Sequence, residues 1–469
     1  MSASQPVAAL TLLLSAAAGG LISACAYADD TSARPSLNSN RWMEDWSALA
    51  DPALRTQPLD RLKYLPLADD NAAWLSLGLT LRERFEYNNA ANFGIGGGQP
   101  DSWLLQRAQV HADARFGTHW QAFIQLEDDR AYGKQAVGGA DKNPLDLRLA
   151  FVAYTTPLPD GSTLKARVGR QDFAFDLQRF VSSRDGPNVR QSFDAAWLDW
   201  ETTDWRLIGF ISQPVQYAAD APFDDTSNRH FRFDTLRMER HVLGGNELSA
   251  YYSRYARDSA RYGDAKGDET RHILDARFAG KRGAIDWDLE AMGQLGWVGN
   301  TTIRAWAVGG RVGYSWSDVA LKPRVGLQLD AASGDHKAGD GTVGTFNPLF
   351  PNGNYFALAG YTGYANLYQL KPSVTLTVAP AATLQLAVGG LWRQSTADAI
   401  YTQPNIAVAG SAGAGSSWTG AYDQLRLDTR FNRNLTGAVE LVHYAIGGTL
   451  RDLGGHNGNY ASAELKLLW

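Results

Sequence analysis

The segment Tyr460-Ala-Ser-Ala-Glu-Leu-Lys-Leu-Leu-Trp469 alternates between apolar and polar side chains. Successive side chains of a β-strand point to opposite faces, so this period of two predicts an extended strand with one apolar and one polar face. The apolar face holds Ala461, Ala463, Leu465, Leu467 and Trp469. A strand of this kind occurs both in soluble sheets and in membrane sheets, and the rest of the chain has to distinguish the two.

The composition is compatible with either kind of sheet. The 469 residues are 44% hydrophobic with a mean hydropathy of -0.29, and outside the N-terminus no apolar run approaches the ~20 residues of a membrane helix. A membrane β-barrel has the same low average, because its apolar residues alternate with polar ones. The net charge of -5 disfavours nucleic acid as a partner.

The N-terminus predicts export. Residues 8–24 are apolar and small, and Ala26-Tyr27-Ala28 matches the cleavage pattern of a signal peptide, which we predict at residues 1–28. The alternative is that Ile22-Ser-Ala-Cys25 is a lipobox, which would place a lipid on the only cysteine of the chain. With one cysteine, no internal disulfide can form.

Strand-like segments follow one another from residue 74 to residue 469. The stretch before them, residues 29–73, is predicted to be a periplasmic segment with a short helix at residues 41–50. The eighteen predicted strands begin near residues 74, 104, 119, 145, 162, 191, 204, 231, 246, 269, 284, 301, 319, 367, 382, 420, 435 and 459.

Short and long connections alternate between these strands. Short turns such as Gly117-Thr118 and Gly244-Gly245 are followed by long stretches such as 172–191, 256–268 and 333–366. A transmembrane barrel has short periplasmic turns and long extracellular loops, whereas a soluble sheet has no reason to segregate its loops by length. The strongly charged faces cannot form a dry core, so they predict a wide, water-filled lumen.

We therefore predict an all-β protein, a transmembrane antiparallel up-and-down β-barrel of about 18 strands at residues 74–469, in the bacterial outer membrane. Its apolar face meets lipid, and its first and last strands pair, which removes the sheet edges that lipid forbids. The strand that ends at Trp469 resembles the signal strand that the barrel-assembly machinery recognises in such proteins.

One region resembles a known family. It is Leu164-Lys-Ala-Arg-Val-Gly-Arg-Gln171 together with Gln178-Arg179, Ser183-Arg184-Asp185, Asn188, Arg190 and Phe193-Asp194, and upstream Arg41-Trp42 and Leu62-Lys63-Tyr64 fit the same pattern. Together these residues resemble the alginate export family of outer-membrane porins, over residues 41 to 469. The resemblance implies a monomeric eighteen-stranded barrel that passes a polyanionic uronate polysaccharide through an arginine-lined constriction.

The inward faces of the strands carry more cations than anions. The candidate pore residues on the strands are Arg82, Arg84, Arg107, Arg115, Arg167, Arg324, Arg426 and Arg430. An arginine grips a carboxylate with its planar fork, so these residues suit an anionic or neutral saccharide. The alternative is that they pair with lumenal acids and stiffen the wall. The acidic run Asp286, Asp288 and Glu290 would set up a transverse field or bind calcium weakly.

The connection after the fifth strand is the candidate constriction. It is predicted to place Arg170, Arg179, Arg184 and Arg190 in a loop that folds into the barrel, where rings of charge select ions by sign. The alternative is an external loop with a solvated mixture of charges.

The leading functional prediction is an outer-membrane channel for anionic or neutral saccharides, either a polysaccharide or small solutes. The alternatives are a general or catabolic uptake porin for small anionic or organic solutes, an outer-membrane hydrolase, and a soluble periplasmic β-protein. The eight histidines lack metal-binding spacing and no G-x-S-x-G motif occurs, so no catalytic residue, metal or cofactor is predicted.

Overall fold

The structure is a computed structural model that describes residues 34–68, 72–242, 246–263, 265–403 and 405–469. The predicted signal peptide, the lipobox and the predicted turn at Gly244-Gly245 lie outside the described residues. Within these ranges, no helix has the length and apolar character that crossing a membrane requires.

Eighteen antiparallel strands form a closed barrel within the described part of the chain, as predicted. The strands are β1 Ala73–Asn88, β2 Asp101–Phe116, β3 Trp120–Tyr132, β4 Asn143–Pro157, β5 Thr163–Gln171, β6 Phe193–Glu201, β7 Trp205–Gln216, β8 Phe231–Val242, β9 Asn246–Tyr262, β10 Ala265–Arg282, β11 Ile285–Val298, β12 Thr301–Ser315, β13 Arg324–Ala332, β14 Leu367–Ala379, β15 Ala382–Trp392, β16 Trp418–Arg430, β17 Leu435–Ile446 and β18 Gly458–Leu468. The strand β18 pairs with β1, from Thr80 opposite Leu468 to Asn88 opposite Tyr460, and this pairing closes the barrel.

The predicted faces are also present. In β1, Thr80, Arg82 and Arg84 point inward and are buried, while the leucines from Leu75 to Leu81 face outward. Large apolar side chains such as Val110 and Leu289 are exposed on the outer surface. Exposed rows of this kind are stable when lipid is the surrounding solvent.

Two connections differ from the prediction. The stretch 256–268 is not a long loop, because β9 and β10 continue as a hairpin in which Arg261 pairs with Lys266. Its polar residues mimic a loop, but Arg257 and Glu269 form an ion pair across the hairpin. The predicted strand near 319 begins only at Arg324, because Leu321 and Lys322 adopt left-handed backbone angles that belong to a turn.

The interior of the extracellular half is not the wide, water-filled space that the alternating strands predict. The loops 172–192 and 333–366 fold into the barrel and bring aromatic side chains with them. Phe180 and Phe350 from the loops pack with Phe193 and Phe233 of the wall in one hydrophobic cluster. The aromatic side chains of the loops thus form an apolar layer that packs against the inward-facing aromatic side chains of the wall.

The residues before β1 lie inside the end of the barrel that carries the short turns, which is the predicted periplasmic end. In place of the predicted helix they form the 3-10 turns Arg41–Met43 and Ser47–Ala50, and two more such turns follow at Pro52–Leu54 and Asp60–Leu62. Trp46, Leu49, Tyr64 and Trp74 form a small core there. Such short turns are stabilised by packing against the wall rather than by helix propensity.

Candidate functional site

The loop 172–192 runs from β5 into the lumen and reaches the wall formed by β8, β10 and β11. Asp176 accepts hydrogen bonds from Arg237 of β8 at 2.7 and 2.8 Å, and it lies 2.9 Å from Arg277 of β10. Arg179 is 1% exposed, donates to Tyr355 Oη at 2.6 Å and forms an ion pair with Glu290 of β11. The predicted inward position of this loop therefore agrees with the structure.

Arg82 and Arg107 hold the tip of the same loop. Arg82 donates to the carbonyl oxygens of Asp185 at 3.0 Å and Gly186 at 3.1 Å. Arg107 donates to the carbonyl oxygen of Asn188 at 2.8 Å and to the Asp185 carboxylate at 2.7 Å. Each guanidinium offers five donors, so one side chain can pair several loop oxygens that would otherwise be unsatisfied. Both predicted pore arginines thus bind protein.

The loop 333–366 meets the first loop near the centre of the barrel. Val181 and Phe350 form a parallel bridge, in which the Ser182 amide donates to the Phe350 carbonyl at 2.9 Å. Farther along, Lys371 of β14 donates to the Phe356 carbonyl at 2.6 Å, and Tyr361 donates to Asn88 at 2.7 Å. The two loops together span the lumen from β5 to the end of β1.

The sequence prediction missed the inward course of this second loop. A usable signal was its aromatic density, which is unusual for a solvated extracellular loop. The aromatic residues are Phe346, Phe350, Tyr355, Phe356, Tyr361 and Tyr364.

Three residues of the first loop have a left-handed backbone. The φ angles are 55° at Asp176, 56° at Gln178 and 53° at Arg184. A residue with a Cβ atom costs about 1–2 kcal/mol in this conformation. The contacts of Asp176 with Arg237 and of Gln178 with Asn352 hold the loop in this shape despite the cost.

Three more of the predicted pore arginines form ion pairs along the wall. Arg84 lies 2.7 Å from Glu440 and 2.6 Å from Glu86. Arg426 pairs with Asp428 at 2.7 Å, and Arg324 donates to Asp286 at 2.9 Å. These contacts match the alternative in which lumenal arginines stiffen the barrel.

Arg115 and Arg167 lie at the periplasmic end and contact the N-terminal residues. Arg115 donates to the Trp42 carbonyl at 3.0 Å, and the Arg167 guanidinium lies 3.9 Å from the centre of the Trp42 ring. Arg430 is the last residue of β16 and is exposed at the same end. The structure therefore does not bring these three residues to the central loops.

Arg170 is a correction to the predicted site. It belongs to β5 rather than to the loop, and its side chain shares the outer face with Val168. There it donates to Asp194 of β6 at 2.9 Å. Strand β5 extends this far because Gly169 adopts a φ of 129°, where an added Cβ would lie 2.2 Å from the Ala150 carbonyl oxygen.

Arg184 and Arg311 are central arginines that lack a carboxylate partner among the described residues, and Lys371 contacts the Phe356 carbonyl rather than an acid. Arg184 is half-buried, with its guanidinium 5.7 Å from the centre of the Phe350 ring. Arg311 points inward from β12, with its guanidinium 5.0 Å from the centre of the Tyr355 ring. By contrast, Arg190 lies 3.4 Å from Asp185 and 3.5 Å from Asp172. Unpaired charges in the lumen are the ones available to a solute.

The predicted acidic run is divided among three arginines. Asp286 pairs with Arg324, Asp288 with Arg277, and Glu290 with Arg179. A calcium ion needs several oxygen ligands that converge on one point, and these pairings direct the carboxylates apart. Each of the three acids is therefore neutralised by its own arginine.

The family model described as Alginate export matches residues 73–464. The chain belongs to the alginate export family. It is a porin-type channel of the bacterial outer membrane. No curated protein matches it.

Solved structures of outer-membrane porins share the fold. OccK2 (OpdF) of Pseudomonas aeruginosa superposes with a TM-score of 0.56 at 13% identity, covering 84% of this chain and 97% of that one. OccAB1 of Acinetobacter baumannii gives 0.57 at 10% identity, covering 87% and 99%. A BenF-like porin from Pseudomonas fluorescens Pf-5 gives 0.55 at 12% identity, covering 84% and 99%. At such identities these likenesses concern the fold alone.

Proposed function

We propose that this channel passes small anionic saccharides of the uronate class, with Arg184 and Arg311 as the solute-contacting cations. The observation that carries the proposal is that these two inward arginines have no carboxylate partner among the described residues, whereas Arg179, Arg107 and Arg426 are paired with acids. A passing carboxylate can replace the missing partner at each arginine, and a guanidinium is weakly enough hydrated to release it again.

The filled lumen supports a small solute over a polymer. The loops 172–192 and 333–366 touch at Val181 and Phe350, so a polysaccharide chain would require one loop to move aside. A structure of OccK2, a porin of the same fold, contains glucuronate. The second candidate function is export of a uronate polysaccharide. The family description supports it, and it requires displacement of the second loop.

Planar-bilayer recordings with glucuronate and with uronate oligomers separate these functions. We expect glucuronate to reduce the ion current in a concentration-dependent way and neutral glucose to do so only weakly. Block by long oligomers, with faster transit at higher voltage, would favour polymer export. If neither glucuronate nor any uronate oligomer changes the current, both candidate functions are refuted.

We also propose that the chain is a monomer, that the barrel-assembly machinery recognises it through β18, and that it has no catalytic role. Its membership of a family of channels supports these proposals. Analytical ultracentrifugation in detergent and hydrolysis assays on the purified channel test the first and the last of them.

A further inference from the structure

We propose that the N-terminal segment, residues 34–68, is a clasp that locks the periplasmic end of the seam between β1 and β18. The seam closes the barrel, and it is held by non-covalent contacts. The clasp forms only when both strands are in place.

The seam is short at its periplasmic end. Trp469 exchanges two backbone hydrogen bonds with Leu79, at 2.7 and 2.8 Å, and these are the lowest bonds between the two sides. Below Leu79 the same edge of β1 continues to Ala73 without β18 beside it. An exposed strand edge is a row of unpaired donors and acceptors and a starting point for fraying.

The N-terminal segment covers this edge. Leu65 and Pro66 pair with Leu75 and Trp74, and the Leu67 amide donates to the Ala73 carbonyl at 2.8 Å. The Lys63 amino group donates to the Leu77 carbonyl at 2.8 Å. The backbone of the chain that precedes β1 thus takes the place that β18 leaves.

Arg41 joins the two sides of the seam. Its side chain is 2% exposed, and it donates to the Leu79 carbonyl of β1 at 3.2 Å and to the Trp469 carbonyl at 3.0 Å. Glu44 neutralises it, with Oε1 2.8 Å from Arg41 Nε, and Trp46 Nε1 donates to the second oxygen at 3.0 Å. A buried, neutralised guanidinium that binds both strands is a staple across the seam.

The rings beside Lys63 extend the staple. Its amino group lies 4.2 Å from the centre of the Trp469 ring and 5.0 Å from that of Trp46. Trp42 continues along the inner wall, where its carbonyl accepts from Gln121 of β3 at 2.9 Å. The clasp is therefore anchored on β3 as well as on the seam, so β18 cannot separate from β1 without breaking it.

Unfolding rates of the full chain test the proposal. We expect the double variant Arg41→Met/Glu44→Gln, which removes the staple without leaving an unpaired buried charge, to unfold at least tenfold faster in detergent, as measured by heat-modifiable gel mobility. Arg61→Ala is the matched control, because Arg61 is exposed in the same segment. It should unfold at the wild-type rate. Equal rates for the double variant and the control would overturn the clasp, even if the variant conducts more current.

Hydrogen exchange on the wild-type protein keeps the test independent of whether a variant assembles. After division by their intrinsic exchange rates, the amides of Leu67, Leu79 and Trp469 should give one common free energy of opening, because opening the clasp releases all three. Exchange of Leu67 that is much faster than that of Leu79 and Trp469 would show that the segment frays while the seam stays closed, and would refute the proposal.

Discussion

Replacing Arg184 by glutamine removes one positive charge from the constriction and little else. The side chain has no carboxylate partner among the described residues, and its guanidinium lies 5.7 Å from the centre of the Phe350 ring. Such a contact is worth about 0.5–1 kcal/mol at a partly exposed site. Glutamine keeps a Cβ atom, so the left-handed backbone at this position is as strained as before. The barrel should therefore fold normally.

The expected effect on permeation is larger. A unit charge 4 Å from a passing ion contributes about 1 kcal/mol in a water-filled lumen and about 4 kcal/mol where water is partly excluded. Losing about 1 kcal/mol lowers anion occupancy roughly fivefold and raises that of cations by the same factor. We expect the anion-to-cation permeability ratio to fall by roughly five- to thirtyfold, with weaker effects at high salt.

Reversal potentials in a KCl gradient across a planar bilayer measure this ratio. Arg184→Lys keeps the charge and should stay close to wild type. Arg304→Gln is the control, because Arg304 lies on β12, the strand that carries Arg311, but faces outward. If Arg184→Gln leaves the reversal potential and glucuronate block at wild-type values, then Arg184 does not contact the solute and the assignment is wrong.

Three further changes test the loops and the N-terminal segment. Arg107→Ala removes the buried donor of the Asn188 carbonyl and one of the ion-pair partners of Asp185. It should destabilise the barrel by about 1–3 kcal/mol in urea titrations, and unchanged stability would contradict the anchoring role. Phe350→Ala removes the aromatic side chain that packs between the two loops. It should lower the free energy of unfolding by about 3–5 kcal/mol and increase single-channel conductance. Burial is the main reason that the pKa of Lys63 falls from 10.5 to about 7. The positive charges of Arg41 and Arg34 lower this pKa further, while the negative charges of Glu44 and Asp60 raise it. The unfolded chain binds this proton up to pH 10.5, so the free energy of unfolding should rise between pH 7 and 10.5, by at most about 1.4 kcal/mol per pH unit, and this rise should disappear in Lys63→Met.

The strands were predictable because alternation is a local property. Leu75 to Leu81 and the polar residues between them identify both faces of β1 without any tertiary information. The position at which a loop packs is a tertiary property, because it depends on partners that are distant in the sequence. Arg179, for example, forms its ion pair with Glu290. Arg170 failed for a local reason: the unusual backbone at Gly169 lets β5 continue where the sequence resembles the start of a loop.

The arginines of this chain show why charge counting predicts the lumen poorly. A loop that folds into a barrel leaves carbonyl oxygens without strand partners, and a guanidinium can pair several of them at once. Arg82 and Arg107 do this for the loop 172–192. Arg393 does it for the loop after β15, where it donates to the carbonyls of Ser411 and Ser416 at 2.6 Å each.

An arginine that holds a loop is not available to a solute, because its guanidinium donors are already bonded to loop oxygens at 2.6–3.1 Å. Selectivity then depends on the few cations that the fold leaves unpaired, rather than on the arginine content of the wall. The lumen can hold many arginines and still offer a solute little more than Arg184 and Arg311 at its centre. Conduction requires binding that is strong enough for the solute to enter and weak enough for it to leave, and a few unpaired charges meet both conditions better than a wall of free arginines.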